Sequence, residues 1–128
     1  FMFSDVPDMN PGKGMAQASH AASQFVYKML TYWTGESVYK HFQEWVSQGV
    51  GFGTKITLAC TRDEFNAIKY SSSDNMTVVG CIVDTSYPIR NWYGKVYTTR
   101  MDTCGYMFVH EDTDQELVNQ IKQFPLHE

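Results

Sequence analysis

Hydrophobic and polar positions change their period several times along the chain, and each change marks an element. Residues 1–6, FMFSDV, read as the end of a strand. From Pro11 to about Trp33 the pattern steps at roughly 100° per residue, the helical period. Met15, Ala18, Ala22, Phe25, Val26, Met29 and Trp33 gather on one side; Lys13, Gln17, His20 and Gln24 form a narrow polar stripe opposite. A second helix is expected over about 37–47, with Val38, Phe42, Trp45 and Val46 inward and Gly49, Gly51 and Gly53 ending it. Residues 54–60, TKITLAC, alternate and carry β-branched side chains, which predicts a strand. Thr61, with Glu64 three residues on, predicts a capping box that opens a short helix from Arg62 to Tyr70. Residues 76–83, MTVVGCIV, read as a buried strand, followed after Asp84 by a long polar and aromatic connection. Residues 103–109, TCGYMFV, predict the last strand, and Asp114 to Phe124 the last helix.

The order β-α-α-β-α-β-β-α predicts one α/β domain over residues 1–128. A four-stranded mixed, mostly parallel sheet with right-handed crossovers is expected. The last two strands follow each other without a helix, so one of them should run antiparallel. Sites in such sheets gather at the carboxyl ends of strands, here Asp5 and Asp84 with the loops after them.

Composition narrows the class. A 128-residue chain with 43% hydrophobic and 15% aromatic residues can bury a core of its own. No apolar run is long enough to span a bilayer and no signal peptide is visible, so no membrane partner is expected. The chain opens on Phe1, inside a strand, so further sequence is expected to precede it. Cys60, Cys81 and Cys104 are odd in number and lack metal-ligand spacing, which predicts reduced core thiols in a cytoplasmic protein and no metal. The net charge of −4 argues against a generic nucleic-acid binder. Yet the tail from Glu111 to Glu128 sets five acidic residues against Lys122 alone and carries all of it. The remainder is balanced and leaves room for local basic patches.

The candidate chemistry begins at residues 10–14, NPGKG. Asn10 suits an N-cap and Pro11 the first helical position. A phosphate-cradling P-loop is excluded, because Pro7 stands where that motif needs its first glycine and Gly14 where it needs Ser or Thr. What remains is Lys13 in the first turn, working against the helix dipole. An anionic ligand explains such a cation better than helix stability does; the polar stripe also fits the ordinary solvated side of a helix. Further on, Arg90, Lys95 and Arg100 interleave with Trp92, Tyr93 and Tyr97. Cations for phosphates and aromatic faces for bases suit a single-stranded RNA end. A surface loop packing its aromatics on the sheet would have the same composition.

The stretch from Asp5 to Ala21, DVPDMNPGKGMAQASHA, closely resembles the N-terminal signature of peptidyl-tRNA hydrolases of the second, archaeal and eukaryotic, class. Met9, Gly12, Lys13, Ala16, Gln17, His20 and Ala21 match in register without gaps, and the element order is that family's order, which implies a three-layer α/β/α fold with helices on both faces of the four-stranded mixed sheet. The resemblance implies hydrolysis of the ester between a peptide and the 3′ ribose of tRNA, with tRNA as partner and no cofactor. It implies catalytic positions at Lys13, Gln17, His20, Asp84 and Thr103; the segment that carries Arg90, Trp92, Lys95 and Arg100, an insertion relative to the family, is expected beside Asp84, where a tRNA end would lie. Family members often pair, so a homodimer is compatible with it. The family follows its aspartate with D-x-G-R-T, whereas residues 84–88 here are D-T-S-Y-P and an extra segment follows. Two further readings stay open: the same fold holding tRNA without turnover, favoured by Ser86 and Pro88, and a small enzyme of unrelated substrate, favoured by the acidic charge.

Overall fold

The structure, a computed structural model, describes residues 1–32, 36–71 and 77–128. Its elements are β1 (Met2–Phe3), α1 (Pro11–Thr31), α2 (Glu36–Val46), β2 (Ala59–Cys60), α3 (Arg62–Ser71), β3 (Val78–Arg90), β4 (Val96–Phe108) and α4 (Gln115–Ile121). This is the order that the periodicity predicts. Trp33 and Met76, expected at the end of one element and the start of another, lie outside the described residues.

The helix starts follow the local chemistry. The Asn10 side chain accepts the Lys13 N–H at 2.9 Å, with Pro11 in the first turn. At α3 the capping box is reciprocal: the Glu64 N–H donates to the Thr61 hydroxyl at 3.1 Å and the Thr61 N–H to the Glu64 carboxylate at 2.9 Å.

The four strands lie in the order β2-β1-β4-β3. β1 runs parallel to β2, with Met2 opposite Ala59, and antiparallel to β4, with Met2 opposite Cys104. β3 and β4 are antiparallel from Val78 opposite Phe108 to Arg90 opposite Val96. The sheet is therefore mixed, but only one of its pairings is parallel, where most were expected to be. The cause is the place of β4, which runs against the other three strands and lies between β1 and β3, so both of its pairings are antiparallel. The segment expected as a long connection after Asp84 is instead an arm in which β3 and β4 continue as one hairpin. Its turn is set by Asn91, whose side-chain oxygen accepts the Tyr93 and Lys95 N–H groups at 3.0 Å each, and by Gly94 at φ 83°. A turn this short admits only antiparallel partners. The strand expected over 54–60 is reduced to Ala59–Cys60. Residues just before it face the chain end instead, with Leu58 bridging Leu126 and the Thr57 carbonyl accepting from His127.

Alternation along β1 sends its two side chains to different cores. Met2 joins Ala21 of α1, Ile82 and Cys104; Phe3 joins Val6, Cys60, Phe65 of α3 and Tyr87. A third cluster unites Phe25 and Met29 of α1 with Val38 and Phe42 of α2 and with Val78 and Phe108. On α1 the buried stripe is Gly14, Gln17, Ala21, Phe25 and Met29. It is rotated from the expected one: Met15 is 68% exposed, while Gln17, placed on the polar side, is 3% exposed. All three cysteines are free, and burial pushes the Cys60 and Cys104 thiols up to about 11. Among the described residues no helix is long and apolar enough to cross a membrane.

Gly105 lies under the ring of Phe65, so a Cβ there would overlap that ring. Phe65 is fully buried and cannot move aside. Gly105→Ala is expected to lower stability by about 1–3 kcal/mol, the usual cost of overpacking. Urea unfolding of the two proteins measures it, and an unchanged midpoint would show that the ring is free to shift.

Candidate active site

Two irregularities in the β3–β4 ladder build the site. The register slips between Ile82 and Val83, where Cys104 and then Asp102 stand opposite and Thr103 is left over. It slips back between Asp84 and Tyr87, where β3 carries the extra residue. A bulge interrupts the alternation of side chains and re-aims them. Thr103 and Cys104 are neighbours, yet both turn to α1: the Thr103 hydroxyl donates to the Gln17 side-chain oxygen at 2.6 Å, and the Cys104 thiol lies 3.5 Å from the Gln17 carbonyl. On β3 the second bulge releases the Ser86 N–H from the ladder, and it donates to the Asp84 carboxylate at 2.9 Å.

Gln17 joins the two bulges. Its amide NH2 donates to the other Asp84 oxygen at 2.8 Å, while its oxygen takes the Thr103 hydroxyl. The result is a directed chain, Thr103 to Gln17 to Asp84. Asp84 is half-buried. The Ser86 N–H and then the Gln17 amide hold its carboxyl below the ordinary carboxylate value; burial opposes them, and the field of His20, weaker than burial, adds to the lowering. Asp84 is thus an ionised carboxylate fixed at both oxygens. Each oxygen retains acceptor capacity for one further donor, such as a water.

Lys13 sits one helical turn before Gln17 and binds β3 four residues beyond Asp84. Its ammonium donates to the Pro88 carbonyl at 2.8 Å and to the Asp8 carbonyl at 3.0 Å, and lies 5.0 Å from the centre of the Tyr87 ring. These partners are neutral, so the positive charge is positioned without being cancelled. An ammonium has three N–H groups; two are used, and one is left for an incoming acceptor. Asp8, at φ 57°, shapes this corner: its carbonyl serves Lys13, and its carboxylate accepts the Arg90 N–H at 2.6 Å. An aspartate tolerates this left-handed conformation better than most residues.

Of the residues singled out from the sequence, Lys13, Gln17, Asp84 and Thr103 come together. His20 is exposed on α1 and close enough to Asp84 to favour its charge, with no hydrogen bond between them. Arg90, Trp92, Lys95 and Arg100 all lie on the hairpin arm. Alternation puts Arg90 and Arg100 on one face with Pro88 and Thr98. Trp92 and Tyr93 stand at the tip, 86% and 76% exposed, with ring centres 4.0 Å apart. Thr98 and Thr99 face Pro88 and Tyr87 across the hairpin. Three contributors escaped the sequence reading. Ser86 acts through its backbone, which no side-chain pattern reveals. Tyr87 is fully buried and donates to the Pro7 carbonyl at 2.9 Å, tying the loop before α1 to the arm. Asp8 contributes through a backbone conformation.

Elsewhere, His41 of α2 is bonded to Asp112 at 2.7 Å and stacked on His110 at 4.3 Å. The three could hold a metal by their donor types. However, the His110 Nδ1 already accepts the Asp112 N–H at 3.2 Å, and the His41–Asp112 pair satisfies itself.

No family model matches the chain, and neither the search of curated proteins nor that of solved structures returns a match.

Gln17→Leu removes the donor to Asp84 and leaves the buried Thr103 hydroxyl without its acceptor. The Asp84 carboxyl should then titrate closer to its ordinary value, and stability should fall by about 1–3 kcal/mol for the lost buried partner. The stabilisation tied to a depressed carboxyl is present above its unfolded value and vanishes as pH falls through the folded one. The variant should therefore lose less on acidification than the wild type. Carbon-detected NMR titration of the carboxyl groups reads the shift directly; an unmoved Asp84 would mean that Ser86 alone sets it.

Proposed function

We propose that this chain is a divergent peptidyl-tRNA hydrolase of the second class. In this reading Lys13 and Asp84 do the chemistry, Gln17 and Thr103 hold them, and the hairpin arm receives the 3′ end of tRNA. The observation that carries the reading is the fixed Thr103–Gln17–Asp84 chain, one helical turn from an ammonium whose third N–H has no acceptor among the described residues. The sequence resemblance at Lys13, Gln17 and His20 selects the substrate.

Asp84 would align a water against the ester carbonyl. A carboxylate with a lowered pKa is a weak base, so it takes the proton only as the carbon–oxygen bond forms. The remaining N–H of Lys13 would meet the developing oxyanion or the nearby phosphate. The leaving group is the 3′ oxygen of the ribose, which takes up a proton from water. Ser86 in place of the family's glycine does not impede this, because its role here is played by the backbone. Pro88 in place of the threonine supplies a carbonyl that anchors Lys13. The core clusters on the two sides of β1 support the three-layer α/β/α arrangement that goes with this reading. A cytoplasmic location and a homodimer belong to the same proposal. The arm also suits a second reading, a tRNA-binding module without turnover, favoured by the exposed Trp92 and Tyr93 and by Arg90 and Arg100 on one face.

Single-turnover cleavage of a radiolabelled N-acetyl-aminoacyl-tRNA tests the proposal. Cleavage by the wild type should fall about 10²-fold or more in Lys13→Ala and in Asp84→Asn. If the tRNA binds but is not cleaved, the binding-module reading replaces this one. If it does neither, both fail. Because the Asp84 carboxyl titrates below its ordinary value, the rate should be flat from about pH 5 to 8 and drop only in stronger acid. A rate that already falls between about pH 8 and 5 would remove Asp84 from the base role.

Trp92→Ala should weaken tRNA binding about tenfold or more, as loss of a stacked base does. Fluorescence titration at two salt concentrations measures it, and binding carried by phosphate contacts should weaken steeply as salt rises. Equal affinity of the variant would remove the tip of the arm from the interface.

A further inference from the structure

β3 is the last strand of the sheet, and among the described residues no strand pairs with its far side. In the arm that side is sealed all the same. Pro88 has no N–H to satisfy, and its carbonyl takes the Lys13 ammonium at 2.8 Å. The Arg90 N–H donates to the Asp8 carboxylate at 2.6 Å. The loop before α1 thus does for the arm what a neighbouring strand would do. Lys13 is part of that seal, so the place of its charge depends on what holds the loop against the arm.

Two bonds hold it. Asp8 is exposed, so water competes for its carboxylate and for the Arg90 N–H. The other bond runs from the Tyr87 hydroxyl to the Pro7 carbonyl at 2.9 Å, and its donor side chain is fully buried. The Tyr87 ring packs with Phe3, Val6 and Phe65, and the Met9 sulfur lies 4.0 Å from the hydroxyl, so the phenol cannot swing away. Burial first, then the charges of Asp8 and Asp84, push its pKa up from the ordinary phenol value. It is therefore a neutral donor; a phenolate there would cancel the charge of Lys13.

Both acceptors of Lys13 adjoin what Tyr87 fixes. The Asp8 carbonyl follows Pro7 in the chain, and the Pro88 carbonyl follows Tyr87 itself. The ring centre lies 5.0 Å from the ammonium, within the range at which an aromatic face attracts a cation. One buried side chain therefore governs both carbonyls and the ring between which the ammonium sits. We propose that Tyr87 is the positioning residue for Lys13: its hydroxyl pins the loop at Pro7 and so holds the ammonium in one place relative to Asp84. The consequence for catalysis rests on the hydrolase reading above. Without the hydroxyl the charge would remain in the site and still attract phosphate, but a donor that is no longer fixed in advance stabilises a developing charge poorly. Rate should fall and binding should not.

Tyr87→Phe keeps the ring and removes the hydroxyl; 4-aminophenylalanine at the same position returns a donor. The proton–nitrogen NMR signal of the Lys13 ammonium, assigned by its loss in Lys13→Ala, reports the placing without any turnover. It should exchange with water more slowly than that of the exposed Lys95, about tenfold faster in Tyr87→Phe, and at the wild-type rate with the amino analogue. In single-turnover cleavage Tyr87→Phe should lose about tenfold in rate constant at saturation, with tRNA affinity within about twofold of the wild type. Unchanged ammonium exchange in Tyr87→Phe overturns the proposal, as does a wild-type ammonium that exchanges like Lys95. A loss of affinity equal to the loss of rate would make the hydroxyl a general prop, which overturns it too. Should the ammonium respond as expected while the wild type cleaves no tRNA, the hydrolase reading fails and the placing of Lys13 by Tyr87 is upheld. Asp8→Gly, suited to the φ of 57°, breaks only the exposed tie and is the second variant should Tyr87→Phe not fold. Its ammonium exchange should stay within about twofold of the wild type; a tenfold rise, by about the same measure, would give the positioning to Asp8 and overturn the proposal.

Discussion

A buried primary amide cannot be left half-paired, and Gln17 is buried where α1 crosses the hairpin. Its two ends differ, so the network around it has a direction. An ionised Asp84 can only accept, which turns the Gln17 NH2 toward it and the Gln17 oxygen toward Thr103. The Thr103 hydroxyl must then donate. One charge on β3 thereby sets the orientation of two side chains, one on α1 and one on β4. It also sets the rotation of α1 about its axis. Were Gln17 on the solvated side, Met15 would face inward and the stripe of Ala21, Phe25 and Met29 would leave the core. The apolar contacts supply most of the stability of such a helix, but they tolerate small rotations that a directed hydrogen-bond chain does not.

The cation in the first turn obeys a related constraint. A lysine at a helix N-terminus opposes the dipole, and this one is drawn away from its own helix by two carbonyls, one on the preceding loop and one on β3. Among the described residues no carboxylate pairs with it. A salt bridge would have relieved the dipole conflict and cancelled the charge; carbonyls relieve the first and leave the second. The lysine thus ties the loop, the helix and the arm together while its charge stays available.

How much of this could be read from the chain depends on whether a feature leaves a period. The helices do, because each buries a stripe, and their caps follow from single residues such as Asn10 and Thr61. The arm does not. Beyond Tyr87 and Ile89 the arm leaves the core, so residues 90–98 lose the alternation that marks a half-buried strand, and polar and aromatic residues there look like a connection. The burial of Gln17 is hidden for the opposite reason: a polar residue inside the core matches the solvated stripe until its partners are known, and Thr103 and Asp84 lie 86 and 67 residues away. Lys13 and Asp84 were legible as candidates from their places after strands. The backbone role of Ser86 and the left-handed Asp8 were not, because neither depends on a side-chain pattern.

The paired bulges explain why these pieces meet. In a regular antiparallel ladder Thr103 and Cys104 would face opposite sides, and only one could reach α1. The extra residue on β4 lets both do so. A single bulge would leave every later pair of the hairpin displaced by one, with its side chains turned over. The compensating residue on β3, immediately after Asp84, restores the register before Tyr87, so that Tyr87 and Ile89 still face the core that holds Phe65. That second slip also frees the Ser86 N–H for Asp84. Site and arm are therefore made by the same two insertions, one on each strand. Without the one on β4, Thr103 and Cys104 could not both reach α1; without the one on β3, the arm would be turned over.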